Sequence, residues 1–159
     1  VDLVTKEEVD LEALVKDICD DFFDIAMIQN KTLKISSQLK HKNILSDKNK
    51  LRQLFIIFID NAFKYTEEED YIKISLSEKD EKIYIKIEDN GLGIKKEELP
   101  HLFDRFFRSE NVRNKDIDGS GIGLSIAKVI SESLKYKLKV DSEYGKWTKF
   151  EIIIPIDED

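Results

Sequence analysis

The chain holds one cysteine, one methionine, two prolines and six glycines among 159 residues. The single Cys19 rules out an internal disulfide. Its place on an apolar helical face makes it a small core residue, which fits a reducing compartment. So few prolines and glycines leave the chain sparsely punctuated. Long apolar runs are also missing: the longest, Leu54–Ile59, is far shorter than the ~20 residues a membrane-spanning helix needs. No secretory signal opens the chain. It begins at Val1 and has only Met27, so it reads as a piece of a longer protein. Positive charge is in deficit, with 26 basic against 33 acidic residues and a net charge of -7. General affinity for nucleic acid or anionic lipid is therefore not expected. Any polyanion must be held locally, by a few cations and backbone amides.

Hydrophobic residues make up 41% of the chain and fall into periodic runs, enough for one domain with its own core. Neither repeats nor low-complexity tracts occur. Leu11, Leu14, Val15, Ile18, Phe22, Ile25 and Ala26 recur at helical spacing. Thr32–Ser36 alternates as a short strand. A second helix is predicted from an Asp47 N-cap to about Tyr65. Its middle, Leu54–Ile59, is β-prone, but Leu51, Ala62 and Tyr65 continue the helical period. Ile72, Ile74 and Leu76, then Ile83, Ile85 and Ile87, alternate as two strands of an antiparallel hairpin, although Ser77–Lys82 between them carries no strong turn signal. Lys95–Leu99 reads as a short helical piece and Asn111–Asp118 as a mobile loop. Gly123–Leu134 is a third helix, with Ile126, Ala127, Ile130 and Leu134 on one face. Leu138 and Val140, then Phe150–Ile156, complete the sheet. The predicted class is α+β: a two-layer sandwich, its mixed, mainly antiparallel sheet covered by helices on one face.

Three short motifs bear on chemistry. Gly119-Ser120-Gly121-Ile122-Gly123 leads into a helix, where free amides and the helix dipole suit phosphate. It lacks the Gly-Lys-Ser/Thr of a P-loop and does not follow a strand as a dinucleotide fingerprint does. A hinge with a helix cap is the plain alternative. Asp89-Asn90-Gly91-Leu92-Gly93-Ile94 is either an ordinary turn or a base pocket. In the second case Asp89, ending a buried strand, accepts a hydrogen bond from an exocyclic amine such as adenine's, and the glycines let the backbone pass beneath the base. Asp60-Asn61-Ala62-Phe63-Lys64-Tyr65 closes an apolar helix. Asn61 shares a face with Lys64 and Tyr65, so its amide oxygen can join a Mg²⁺ shell while Lys64 reaches the same phosphates. The plain alternative is a polar helix end with a dipole-matched lysine.

The order and spacing of these pieces resemble the catalytic and ATP-binding domain of sensor histidine kinases, in the superfamily shared with gyrase-type topoisomerases and mismatch-repair ATPases. Leu51-Arg52-Gln53 through Asp60–Thr66 is similar to the family's asparagine box, and Asp89–Ile94 to its first glycine box. Leu102-Phe103-Asp104-Arg105-Phe106-Phe107-Arg108 resembles its phenylalanine box, Gly119–Leu124 its second glycine box and Gly145–Phe150 its third. The resemblance covers nearly all of residues 1–159 and implies ATP and Mg²⁺ as cofactors. It implies that Asn61 coordinates the metal and that Lys64 and Tyr65 lie beside the phosphates and ribose. Asp89 would bind the adenine amine, with Gly91, Gly93 and Ile94 shaping the base pocket and Thr148 beside it. Residues from about 103 to 120, Phe103 included, would form a lid. Arg108, more than Arg105, would meet the γ-phosphate, and Gly119, Ser120, Gly121, Ile122, Gly123 and Leu124 would form the phosphate-binding helix start.

Three positions depart from the family pattern. Ile57 stands where an earlier asparagine is common, Leu134-Lys135-Tyr136 replaces a His-Gly-Gly turn, and Trp147 stands where a glycine is common, with an expected narrowing or capping of the pocket edge. The implied reaction transfers the ATP γ-phosphoryl to a histidine. His41 lies among lysines and His101 follows Pro100; neither has the acceptor's usual context, and both are expected to be surface residues. The acceptor is then expected on separate dimerisation helices outside these residues, so the isolated chain should bind nucleotide without phosphorylating itself. The resemblance further implies a response-regulator partner, a homodimeric membrane-anchored protein and a cytoplasmic domain of a bacterial inner-membrane sensor. Two rival readings remain: an anti-sigma-type serine kinase of the same superfamily, and a degenerate nucleotide-binding or scaffold domain.

Overall fold

The computed structural model describes residues 3–105, 107 and 123–156. Its elements, in chain order, are β1 (Glu7–Asp10), α1 (Leu11–Ile28), β2 (Thr32–Gln38), β3 (Asn43–Ser46), α2 (Lys48–Lys64), β4 (Tyr71–Lys79) and β5 (Lys82–Asp89). A 3₁₀ helix (Lys96–His101), α3 (Gly123–Leu134), β6 (Lys137–Glu143) and β7 (Trp147–Pro155) follow. Five strands form one sheet in the order β2-β4-β5-β7-β6. The β2–β4 pair is parallel and the other three pairs are antiparallel. A separate antiparallel pair joins β1 to β3.

Helices α1 and α2 bury the stripes their sequences dictate. Asp10 caps α1, accepting from the Ala13 amide at 3.0 Å, and the helix buries Leu11, Leu14, Val15, Ile18, Cys19, Phe22 and Ala26. Ile25, placed on that stripe by spacing, lies at its edge and is 36% exposed. The β-prone middle of α2 is helical because Leu51, Leu54, Phe55, Phe58, Ile59, Ala62 and Phe63 make one continuous buried face. Asp47 caps α2, with one carboxylate oxygen on the Lys50 amide and the other on the Thr5 amide. These contacts, the Thr5 amide foremost, hold its carboxyl below the usual range. Of the face predicted for α3, Ala127 and Ile130 are buried and Leu134 packs against the core, whereas Ile126 is 37% exposed and Ser131 is buried instead. This helix packs chiefly on α2 and also touches β6.

Alternate residues of the central strands enter the same core. Ile72, Ile74 and Leu76 of β4, Ile83, Ile85 and Ile87 of β5, and Phe150, Ile152 and Ile154 of β7 are all buried. Phe58 of α2 packs against Phe150 at 5.0 Å between ring centroids. The β4–β5 hairpin turns on Asp80 and Glu81, both left-handed (φ 52° and 61°), a conformation that neither residue type announces. After α3 the chain closes with Tyr136 N–H on Ser131 O and Lys135 N–H on Glu132 O, and Lys135 sits at φ 64° where glycine is usual.

Candidate functional site

Seven of the predicted site residues line one cleft: Asn61, Tyr65, Asp89, Gly93, Ile94, Leu124 and Thr148. Leu92, Leu102, Phe107 and Phe150 complete the wall. The cleft lies between the last turn of α2, the end of β5, the start of α3 and the first half of β7. Asn61 and Tyr65 reach it together because they are one helical turn apart.

Asp89 is in the cleft because of strand register. It continues the inward set Ile83, Ile85 and Ile87, so its side chain must enter the same buried face, and only 4% of the residue is exposed. Burial pushes its carboxyl up to about 7, against the Gly91 amide, which donates to Oδ1 at 2.9 Å. Asp70 and Glu88 push the same way, and Lys31 opposes them. A carboxylate so desolvated accepts strongly from any donor placed in the cleft.

The loop after Asp89 has almost no clearance. A Cβ on Gly91 would stand 2.1 Å from the Tyr65 carbonyl oxygen, which accepts the Leu92 amide at 3.1 Å. Gly93 has φ +68°, and a Cβ there would meet the Glu143 carbonyl at 2.3 Å. Gly145 N–H donates to Leu92 O at 2.7 Å, so the β6–β7 turn braces the loop from below. Ser142 ties the same parts together: its hydroxyl meets the Ile94 amide, the Trp147 carbonyl and the Thr148 hydroxyl.

Other predicted residues lie around this centre. Gly91 is beside the cleft, holding Asp89 through its amide. Phe103 stacks edge-on against Phe150 at 6.2 Å and thus supports the wall. Gly123 begins α3, and among the described residues a Cβ there would meet only Ile57 Cγ2, at 3.8 Å. Ile57 is therefore a packing residue between α2 and the start of α3. Lys64 does not line the cleft; it pairs with Asp60 at 3.1 Å on the helix surface. Arg108, Gly119, Ser120, Gly121, Ile122 and the loop Asn111–Asp118 lie outside the described residues, as does most of the lid expected over 103–120. Trp147 does not narrow the pocket as expected: strand alternation turns it to the opposite face from Thr148, and it is not part of the cleft wall. His41 and His101 are exposed, as predicted, paired with Glu78 at 2.7 Å and Asp104 at 3.1 Å.

Sequence reasoning missed Lys31. Its Nζ donates to the Phe63 carbonyl at 2.6 Å and lies 5.8 Å from the centre of the Phe63 ring, clamping the C-terminal end of α2. Burial pulls its pKa below the usual lysine value, and Asp70, Asp89 and Glu67 pull it back. Ser142 was missed too, since its link to the Ile94 amide, 48 residues away, arises only in the folded chain. Leu102 and Phe107 were within reach of inference, because both belong to the phenylalanine-rich segment already singled out.

Comparison with known proteins agrees with this geometry. The profile of the Histidine kinase-, DNA gyrase B-, and HSP90-like ATPase family matches residues 46–158. The sensor protein CiaH of Streptococcus pneumoniae is 39% identical over 132 residues, covering 83% of this chain and 30% of CiaH. The chain thus spans about a third of the length of the curated relatives it matches. Among solved structures, full-length ShkA in complex with AMPPNP superposes with a TM-score of 0.84 at 23% identity, over 98% of this chain and 32% of that one. Histidine kinase ThkA in complex with the response regulator TrrA gives 0.80 at 21%, over 97% and 42%. The α+β sandwich is the fold of these proteins, and with the profile match over most of its length the chain belongs to the family of histidine kinase-, DNA gyrase B- and HSP90-like ATPases.

Proposed function

We propose that the cleft binds Mg·ATP and that the chain is the catalytic domain of a two-component sensor histidine kinase, delivering the γ-phosphoryl group to a histidine on separate dimerisation helices. The observation that carries this reading is the convergence of Asn61, Tyr65, Asp89, Gly93 and Thr148 on one cleft with a buried carboxylate at its floor. Asp89 and Thr148 would take the exocyclic amine of the base, and Leu92, Ile94 and Phe150 would offer it an apolar slot. Asn61 and Tyr65 would stand beside the phosphates. Lys64, now held by Asp60 on the helix surface, would need to leave that pair to join them.

Among the described residues no group of three or more His, Cys, Asp or Glu side chains is set to hold an ion. A metal here therefore fits as one carried in by the nucleotide, with the Asn61 amide oxygen its protein ligand. Bound there, it would offset the phosphate charge that phosphoryl transfer must stabilise. Ile57, a turn before Asn61, offers the ion nothing. Arg108 and the second glycine box, Gly119–Leu124, would supply the remaining positive charge and amides. The names of the relatives, and the AMPPNP and response regulator in the titles of the two superposed structures, support the same reading. The response regulator in the second title also supports a response-regulator partner; a dimeric, membrane-anchored whole protein with this domain in the cytoplasm is proposed from the resemblance of the motifs alone.

Ligand that binds only the folded chain must raise its melting temperature. ATP at roughly millimolar concentration with Mg²⁺ should do so, more than ATP with chelator. Asp89→Ala should remove the shift. Supplying the phosphoacceptor helices of the same protein in trans with labelled ATP should then label their histidine. No melting shift would favour a scaffold domain, for which Ile57 is the supporting observation; label on a partner's serine would favour the anti-sigma-type kinase.

A further inference from the structure

Ser142 stands outside the cleft, yet its hydroxyl decides what the cleft can recognise. Three groups meet its oxygen: the Ile94 amide at 2.7 Å, the Trp147 carbonyl at 2.7 Å and the Thr148 hydroxyl at 3.1 Å. A serine hydroxyl has one proton to donate and two lone pairs to accept with. An amide can only donate and a carbonyl can only accept, so two of the three contacts have a fixed direction. The serine proton is committed to Trp147 O, and one lone pair takes the Ile94 N–H. The contact with Thr148 must then run from the threonine hydroxyl to the serine oxygen. That turns Thr148's only side-chain proton away from the cleft and leaves its lone pairs as what it presents there.

Thr148 and Asp89 face each other directly across the β5–β7 ladder, and both line the cleft. The pair is therefore acceptor beside acceptor. An exocyclic amine brings two N–H groups to such an edge; a ring carbonyl in the same place brings none and would leave buried acceptors unpaired. Resting on the nucleotide reading above, we infer that Ser142 is a positioning residue for base specificity, holding Thr148 as an acceptor so that the site takes a 6-amino purine and rejects a 6-oxo purine.

The probes are the Mg²⁺ complexes of ATP and ITP, which differ at that 6-substituent and at the adjoining N1, an acceptor in adenine and an N–H in hypoxanthine, titrated calorimetrically into the chain at pH 8. The parent should prefer ATP by at least about tenfold. In Ser142→Ala the Thr148 hydroxyl is free to turn and donate to a carbonyl, and the ATP-to-ITP preference should fall by roughly tenfold. Ser142→Thr restores the hydroxyl and should restore the preference. Should Ser142→Ala fail to fold, Thr148→Val tests the same edge by deleting the acceptor and should also reduce the preference. A Ser142→Ala chain that loses both nucleotides equally, with its ratio unmoved, would reduce Ser142 to a structural brace and overturn the inference, as would a parent with no preference. A parent that binds neither nucleotide would instead remove the nucleotide reading itself, and the inference with it.

Discussion

Asp89→Asn exchanges one carboxylate oxygen for an amide nitrogen and leaves the shape of the floor unchanged, so it separates the cost of the charge from its use. In the folded chain the carboxyl is pushed from its ordinary value of 3.8 to about 7, chiefly by burial. The native state therefore keeps a proton that the unfolded chain has already lost anywhere between those values. Stability then falls as pH rises through that window, by up to about 4 kcal/mol at 1.36 kcal/mol per pH unit, with no penalty below it and the full penalty above. Asparagine carries no such term. In urea titrations the variant and parent should be alike near pH 4, and the variant should be the more stable at pH 8 by up to about 4 kcal/mol. The same variant should bind ATP at least about tenfold more weakly. Its Oδ1 must accept the Gly91 amide, as the carboxylate does at 2.9 Å, and this turns the NH₂ toward the cleft, donor against the incoming amine. Greater stability with weaker binding is the signature of a charge kept for a ligand. A stability difference that does not change with pH, or an asparagine variant that binds ATP like the parent, would refute the reasoning.

Gly91→Ala places a Cβ 2.1 Å from the Tyr65 carbonyl, so the loop must shift by roughly 1 Å or more and strain the Leu92–Tyr65 hydrogen bond. A loss of about 2–3 kcal/mol in denaturant titration is expected, whereas Gly123→Ala, with Ile57 at an ordinary 3.8 Å, should stay within about 1 kcal/mol of the parent. Equal effects at the two glycines would contradict the packing described. Lys135→Gly removes a side chain from a left-handed residue (φ 64°) at the end of α3 and should stabilise by about 0.5–1 kcal/mol; a loss of stability would show that the lysine compensates elsewhere. Cys19, fully buried, has its thiol pushed up to about 12, first by burial and then by Asp20. It should resist a thiol reagent in the native chain and react once per chain in denaturant; rapid native reaction would place it outside the core.

What could be read from the sequence were features fixed within a few residues. The limits of α2 followed from Asp47 and a sustained helical period, strong enough to override a β-prone middle. Asp89's entry into the core followed from the two-residue period of Ile83, Ile85 and Ile87. The limits of α3 and most of its buried face, Ala127 and Ile130, were also legible, but not the exposure of Ile126 at its edge. β1 and β3 escaped notice: at four residues each they are too short for a period to emerge. Likewise the Asp80-Glu81 turn uses left-handed residues without glycine or asparagine to mark it.

Local sequence thus determined which of the longer segments are helix or strand, and which face of each longer strand is apolar, because backbone geometry repeats every 3.6 or 2 residues whatever lies beyond. Tertiary structure alone decided that Lys31 clamps the end of α2, 32 residues away, and that Ser142 reaches Ile94 across 48. Those contacts depend on the strand order β2-β4-β5-β7-β6, which brings distant segments within hydrogen-bond range. Periodicity carries no information about which strand becomes whose neighbour, so the proton directions that shape the cleft appear only once the sheet is assembled.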